Sequence, residues 1–335
     1  MTDKAHIMTD KEIERMERHL SVIYARAEKE LSKEFAKYAA NIKEKSDKLL
    51  EDYQSAEDNK AKMAAKAAYI RFYMVEVKRD ARFKKLQEIS SESLYKANQK
   101  AASYINTKTA SIYAENYNQI GRGIERDVDG YSFKPVSADE AENFGQITQQ
   151  TIDRKKDTDW NAKNIVKAAV SGAVLMQSAD KILGGAISRT VMKNRDSAFR
   201  QASDTATDAE SKGRLDSMYR ASDEGWDVKK TWVATLDNRT RDTHREYDGV
   251  PPVELDYEYA PGLKKPRDPD CPDLAEVCNC RCSIQYTVGK NQTTTRAARE
   301  GDVMGSYKRP RSFRGTETVI VPDMSYEEWM KWRSR

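Results

Sequence analysis

All four cysteines of this 335-residue chain fall within twelve positions: Cys271, Cys278, Cys280 and Cys282. Thiolate sulfur and imidazole nitrogen are the donors that zinc prefers, usually four in a tetrahedron for a structural site. His244 is the one histidine outside the N-terminal helical region, the other two being His6 and His19. Over an extended 278–282 segment, Cys278, Cys280 and Cys282 would alternate onto one face. The expected ligands of a structural zinc are therefore a subset of His244, Cys280, Cys282, Cys271 and Cys278. The competing reading is reduced thiols and a histidine held by a local hydrogen bond, and the spacing lacks the usual C-x2-C knuckle. Confinement of all four cysteines to one stretch argues against a disulfide scaffold, which ties distant segments together.

Two catalytic readings compete with this one. Cys282 and His244, aided by Asp237 or Asp242, have the composition of a nucleophile and its base. His244 with Asp237, Asp242, Asp248 and Asp270 has the composition of a metal-dependent nuclease site. Three neighbouring thiols argue against one tuned nucleophile, and aspartates in a turn-rich segment are mostly caps and turn formers. The expectation is no catalytic residue and no enzyme. In Asp237-x-Arg239-x-Arg241, the aspartate is expected to hold a turn and the arginines to pin carboxylates or carbonyls through their planar forks. Arg296, Arg299, Lys308, Arg309, Arg311 and Arg314 form a basic stretch that could meet DNA phosphates. Its alternative is a solvated or partner-bound arm.

The elements that must position these residues are mostly helical. Residues 1–120 contain neither glycine nor proline, the two residues that most disfavour helix interiors. Thr9-x-x-Glu12 reads as a capping box. Ile13, Met16, Leu20, Ile23, Ala27, Leu31, Phe35, Tyr38 and Ile42 recur at three- and four-residue steps, the stripe of a helix that packs on a partner. A break is expected at Ser55–Asn59, then a helix with its stripe through Met63, Ala67, Ile70, Met74 and Val77. A joint at Ser90-Ser91 precedes more helix over about 92–119. Gly121, Gly123, Gly130 and Pro135 mark a loop. Residues 121–162 read as a linker with a short helix from about 138. Residues 163–182 read as a helix buried on most faces, ended by Gly184-Gly185, with helix again from about 186 to Arg220. After 226 come strand-like pieces at 230–236, 282–287 and 316–321, and a terminal helix capped by Ser325 with Glu328.

The expected fold is therefore mainly α. A long N-terminal helical hairpin or bundle (1–120) leads through the linker (121–162) to central helices (163–225) and a small C-terminal α+β domain (226–335). That last domain is expected to be self-contained. Charge at 33% and hydrophobic content at 38% suit exposed helices better than one thick core. A net charge of +4 gives little general attraction for nucleic acid. No apolar run reaches the length of a membrane span, and the N-terminus lacks an apolar signal core.

The stretch from Asp208 through His244, with Asp248-Gly249 and Asn279-Cys280-Arg281-Cys282, resembles the phage head morphogenesis, or minor capsid, proteins of the Mu F type. The residues that carry the resemblance are Trp232, Asp237, Thr240, Arg241, His244, Asp248, Gly249, Asn279, Cys280, Arg281 and Cys282. The ending Tyr326-Glu327-Glu328-Trp329 is similar as well, and coverage runs over roughly residues 165–335. Cys271 and Cys278 are not part of that pattern, and the helix before Arg214 lacks its Arg-Thr-Glu. The resemblance implies a structural virion protein, made in the host cytoplasm and located in the capsid interior or at the portal vertex. Its implied partners are the portal protein and the major capsid or scaffolding protein, with nonspecific contact to double-stranded DNA and passage out with it on ejection. Some relatives carry an added toxin or ADP-ribosyltransferase domain, and none is expected among the residues after 289. The alternative function is a metal-dependent nuclease or toxin-type enzyme delivered with the phage genome.

Overall fold

A computed structural model describes residues 4–141, 144, 151–152, 160–288, 295–300, 317–322 and 324–333. The fold is mainly α. In chain order it comprises α1 (Lys4–Gln54), α2 (Asn59–Arg71), a π-helical turn (Phe72–Val77), α3 (Ala81–Asp127), α4 (Trp160–Val174) and α5 (Ala179–Asp223). Then come β1 (Val228–Val233), α6 (Asp242–Asp248), α7 (Leu274–Val277), β2 (Ser283–Val288), β3 (Thr295–Glu300), β4 (Glu317–Pro322) and α8 (Tyr326–Arg333). The strands form two antiparallel pairs: β1 with β2, in register from Val228↔Val288 to Val233↔Ser283, and β3 with β4. Among the described residues, no helix is long and apolar enough to cross a membrane.

The chain divides into two compact units that do not follow the linear segments 1–120, 121–162, 163–225 and 226–335. One comprises Met1–Glu17, Tyr104–Gln146 and Phe199–Arg335, the other Arg18–Ser103 and Ile147–Ala198.

In the second unit, α1 buries Leu20, Tyr24, Ala27, Leu31, Phe35, Tyr38 and Ile42. Tyr24 takes the place expected for Ile23, which is half-buried. The Asp58 side chain caps α2 by accepting from the Ala61 amide at 2.7 Å. Of the expected stripe, Met63, Ala67 and Met74 are exposed, Ile70 is half-buried and Val77 is buried, beside Tyr69, Phe72 and Tyr73. The break before α3 falls at Asp80, whose carboxylate accepts from the Arg82 amide at 2.7 Å. Helix runs without interruption through Ser90-Ser91, where Ser90 Oγ donates to the Leu86 carbonyl at 2.7 Å.

The helix expected over 163–182 is interrupted instead at 175–178, where Met176 adopts a positive φ of 54°. It is also amphipathic, leaving Val174 and Leu175 exposed, and Gly184-Gly185 lies inside α5. A polar chain threads the apolar packing: Tyr24 Oη donates to Asn98 at 2.7 Å, Asn98 to Asn194 at 2.8 Å, and Asn194 to Asn161 at 2.8 Å. Satisfied amides of this kind avoid the desolvation cost of a lone buried polar group.

In the first unit, helix continues past Gly121 and Gly123 to Asp127. These glycines make room, since a Cβ would lie 1.9 Å from the Phe133 ring at Gly121 and 2.5 Å from the Tyr286 hydroxyl at Gly123. Thr9 is inside α1 and does not cap it; buried, it accepts from Asn116 Nδ2 at 3.1 Å. Ile120, Ile124, Val128 and Tyr131 pack with Leu215, Met218 and Ala221 and with Val228, Leu255 and Ile284 as one core. The core under segment 226–335 is therefore shared with residues of α3 and α5. Arg214 is fully buried; its guanidinium donates to Asn116 Oδ1 at 2.9 Å and the Ile284 carbonyl at 3.1 Å, and pairs with Glu210 at 3.1 Å. Within the linker, residues 138–141 form turns, and most of 142–159 lies outside the described residues. Ser325 and Glu328 form the expected capping box of α8.

Candidate functional site

The antiparallel pairing of β1 and β2 sets Trp232 opposite Ile284 and Val233 opposite Ser283. It therefore delivers the chain leaving β1 beside the chain entering β2. Asp237 organises the exit. Its carboxylate is fully buried, accepts from the Arg239 amide at 2.9 Å and Thr240 Oγ1 at 3.2 Å, and pairs with the Arg281 guanidinium through both oxygens. Burial disfavours the Arg281 charge, but the Asp237 carboxylate more than offsets this and raises its pKa. Arg241 donates to the Cys278 carbonyl. Asp248 closes α6 onto its surroundings, Oδ1 accepting from the Ala234 amide at 2.8 Å and Oδ2 from the Tyr326 amide at 3.0 Å.

Helix α6 carries His244 inward, and its ring lies edge-to-face 5.1 Å from that of Trp232. Tyr247 and Tyr259 complete an aromatic wall, at 5.3 and 5.0 Å from Trp232. From the other side come the cysteines. Asp273 caps the short α7 by accepting from the Ala275 amide at 2.8 Å, and Asn279 then takes a left-handed φ of 57°. This turn breaks the alternation expected over 278–282. Cys278 is exposed at the end of α7, whereas Cys280 and Cys282 are both buried. Asparagine is among the few non-glycine residues that adopt this conformation readily.

His244 Nδ1 lies 3.6 Å from Cys280 Sγ and 3.4 Å from Cys282 Sγ. Its Nε2 lies 3.0 Å from Glu276 Oε2, at ion-pair distance although the carboxylate is off the N–H direction. Thr243 Oγ1 donates to the same carboxylate at 3.0 Å. His244 is 1% exposed, and Cys280 and Cys282 are 3% exposed, so the site is closed to bulk solvent. Burial raises the Cys280 thiol, but a hydrogen bond from Cys282, the Cys282 amide, and the charges of Arg267 and Arg241 together bring it below the ordinary thiol range. Burial, with the neighbouring Cys280, pushes Cys282 well above that range.

Of the five expected metal ligands, the structure brings three together. His244, Cys280 and Cys282 are the one group of histidine, cysteine or acidic side chains among the described residues whose donor atoms could hold an ion, all within 4.8 Å of one another. Cys271 belongs to the same apolar cluster but points Sγ at the Asp273 carbonyl, 3.7 Å away. Cys278 stands outside. The aspartates considered for a nuclease are engaged elsewhere: Asp237 and Asp248 as above, and exposed Asp242 with Arg245 at 2.7 Å. Asp270 is exposed. Arg296 and Arg299 fall on β3, of which the backbone alone is described, and Lys308, Arg309, Arg311 and Arg314 lie outside the described residues.

Two residues escaped sequence reasoning. Glu276 carries no local signal, being one of many carboxylates in the chain. Lys230 is fully buried, its ammonium donating to the carbonyls of Leu255, Tyr257 and Lys264 at 2.5, 2.8 and 2.7 Å. Burial and the nearby Lys264 charge lower its pKa to about 8. Alternation along β1 places Lys230 on the same face as the buried Val228 and Trp232, a position a β-strand reading could have flagged.

No protein-family model and no solved structure matches the chain. Among curated proteins, it is 29% identical over 157 residues to NAD(+)–arginine ADP-ribosyltransferase EFV of Enterococcus faecalis (strain ATCC 700802 / V583). The match covers 44% of this chain and 28% of that protein, so the chain spans under a third of the curated relative's length. A relative of the chain thus carries an enzyme's name.

Proposed function

We propose that the chain is a structural minor capsid protein that acts in phage head morphogenesis. It would bind portal and capsid or scaffolding subunits inside the virion, touch DNA nonspecifically and leave with it on ejection. The observation that carries this reading is the use made of the motif residues. Asp237, Thr240, Arg241, Asp248 and Arg281 each hold a backbone group or one another, and His244, Cys280 and Cys282 are closed off from solvent. Such an arrangement supports a rigid platform for protein contacts better than a reaction centre, which needs an open concave site for substrate.

A second reading is favoured by the relative's name: an enzyme that transfers ADP-ribose from NAD+ to arginine. The nuclease alternative has less support, because Asp237 and Asp248 hold backbone groups and Asp242 pairs with Arg245. One set of experiments separates the three. Co-expression of the tagged chain with the portal protein of the same phage should yield a complex that survives gel filtration. The purified chain should neither modify agmatine with labelled NAD+ nor cut plasmid DNA with Mg2+ or Mn2+. Absence of the portal complex together with either activity would overturn the structural reading.

A further inference from the structure

The geometry points to a zinc site with three protein ligands, His244 Nδ1, Cys280 Sγ and Cys282 Sγ, and with Glu276 as the residue that positions the histidine. In a tetrahedral zinc centre with typical Zn–N and Zn–S bonds, nitrogen and sulfur ligands lie about 3.6 Å apart. The two nitrogen–sulfur separations here are 3.6 and 3.4 Å. A hydrogen-bonded pair of free thiols explains this less well. Nδ1 carries either one proton or one lone pair and so serves one sulfur well, yet it faces two at almost equal distance.

The opposite ring nitrogen supplies an independent observation. Metal-ligating histidines commonly direct their other nitrogen at a carboxylate or carbonyl, which fixes the tautomer and the ring plane. His244 Nε2 lies 3.0 Å from the Glu276 carboxylate, itself held by Thr243 Oγ1. The donor set selects zinc among common divalent ions, since thiolate and imidazole are poor ligands for Mg2+ or Ca2+. Binding would displace the two thiol protons to solvent and leave two thiolates neutralised by the cation.

The ligands come from opposite ends of a long connection, α6 on one side and the entry to β2 on the other. The ion would therefore pin residues 242–282 into a closed loop around the Trp232–Tyr247–Tyr259 wall. This role is independent of the head-assembly reading, because it asks only that the loop be stapled. Cys271 and Cys278 are outside the ligand set.

The test uses the full chain, produced with zinc in the medium and passed through gel filtration. Elemental analysis should find about one zinc per chain, and under about 0.2 would overturn the site. Replacement by Co2+ should give the intense near-ultraviolet absorption of sulfur-to-cobalt charge transfer together with visible bands of tetrahedral intensity. Weak octahedral bands without charge transfer would overturn it as well. C280S and C282S should each lose the metal, while C271S and C278S should keep it; the reverse pattern would overturn the ligand assignment. Should C280S or C282S fail to fold, the cobalt spectrum of the unsubstituted chain still decides. Glu276→Gln should keep the stoichiometry and the cobalt spectrum but release zinc to a chromogenic chelator at roughly 10–100-fold lower chelator concentration. An unchanged release curve would remove Glu276 from its positioning role.

Discussion

At the scale of single residues, this protein places charge where charge is normally excluded and then satisfies it. Asp237, Arg214 and Lys230 are all fully buried. Asp237 matters most to the site, because it holds the exit of β1 and the Arg281 that stands between the two buried cysteines. Asp237→Asn would leave the guanidinium without its counter-charge and convert an acceptor of the Arg239 amide and Thr240 hydroxyl into a mixed donor. Breaking a buried pair by removing one partner typically costs about 3–5 kcal/mol. The expected outcome is a large fall in the urea midpoint followed by tryptophan fluorescence, Trp232 being 1% exposed. Asp242→Asn, which removes only a surface pair with Arg245, should leave the midpoint in place. Equal effects of the two substitutions would show that the Asp237–Arg281 pair does not hold the site.

At the scale of elements, the glycines inside helices divide into two kinds. At Gly213, in α5, a Cβ would lie 2.5 Å from the Tyr113 carbonyl oxygen and 3.2 Å from the Tyr117 amide of α3, so two backbones meet there. At Gly184 nothing lies within 4 Å. Alanine is the better helix former by up to about 1 kcal/mol. Gly184→Ala should therefore raise thermal stability by about 0.5–1 kcal/mol. Gly213→Ala should lower it by about 1–3 kcal/mol, because overpacking against a backbone cannot be relieved by a rotamer change. Stabilisation by both would mean that α3 and α5 do not approach closely at this point.

The same distinction explains what was legible in the sequence. The long helices were, because absence of glycine and proline and a three-four apolar stripe are local signals. Their ends were legible at the Ser325–Glu328 box and at the Ser55–Asn59 break, but the Thr9–Glu12 box lies inside α1 and marks no end. Gly121, Gly123 and Gly184 resembled stops because a glycine looks alike in sequence whether it ends a helix, admits a neighbouring ring or faces open space. The three-four rule placed a stripe on Met63 and Met74, both exposed, whereas the aromatic residues Tyr69, Phe72 and Tyr73 are the ones buried. Strand β3 was hidden in a polar stretch read as an arm. Of the candidate metal ligands, His244, Cys280 and Cys282 could be picked by type. Exclusion of Cys278 depended on the left-handed Asn279, and inclusion of Glu276 on a contact across 32 residues, neither of which has a sequence signature.

At the scale of the molecule, the C-terminal motif and its support are separate in sequence and joined in the fold. The cluster of Trp232, Ala234, Leu263, Cys271, Cys280 and Cys282 is local to 226–335. The larger core beneath β1 and β2 is not, since Ile120, Ile124 and Val128 of the first half pack there with Leu215, Met218 and Ile284. Arg214 links the same parts through Asn116 and the Ile284 carbonyl, and Asn116 donates in turn to Thr9. Removal of residues 1–120 would strip Thr9, Asn116 and Ile120 at once. It would expose an apolar face and take the Asn116 acceptor from the buried Arg214 guanidinium. An uncompensated buried polar group costs about 1–3 kcal/mol, more when charged, against a total domain stability of about 5–15 kcal/mol. The fragment 121–335 should accordingly show no cooperative unfolding by circular dichroism in urea, whereas the full chain carrying Asn116→Ala should still unfold cooperatively at a lower midpoint. A sharp transition in the fragment, with Trp232 fluorescence as in the full chain, would mean that the aromatic–cysteine cluster folds on its own and that the helices before it serve assembly and not stability.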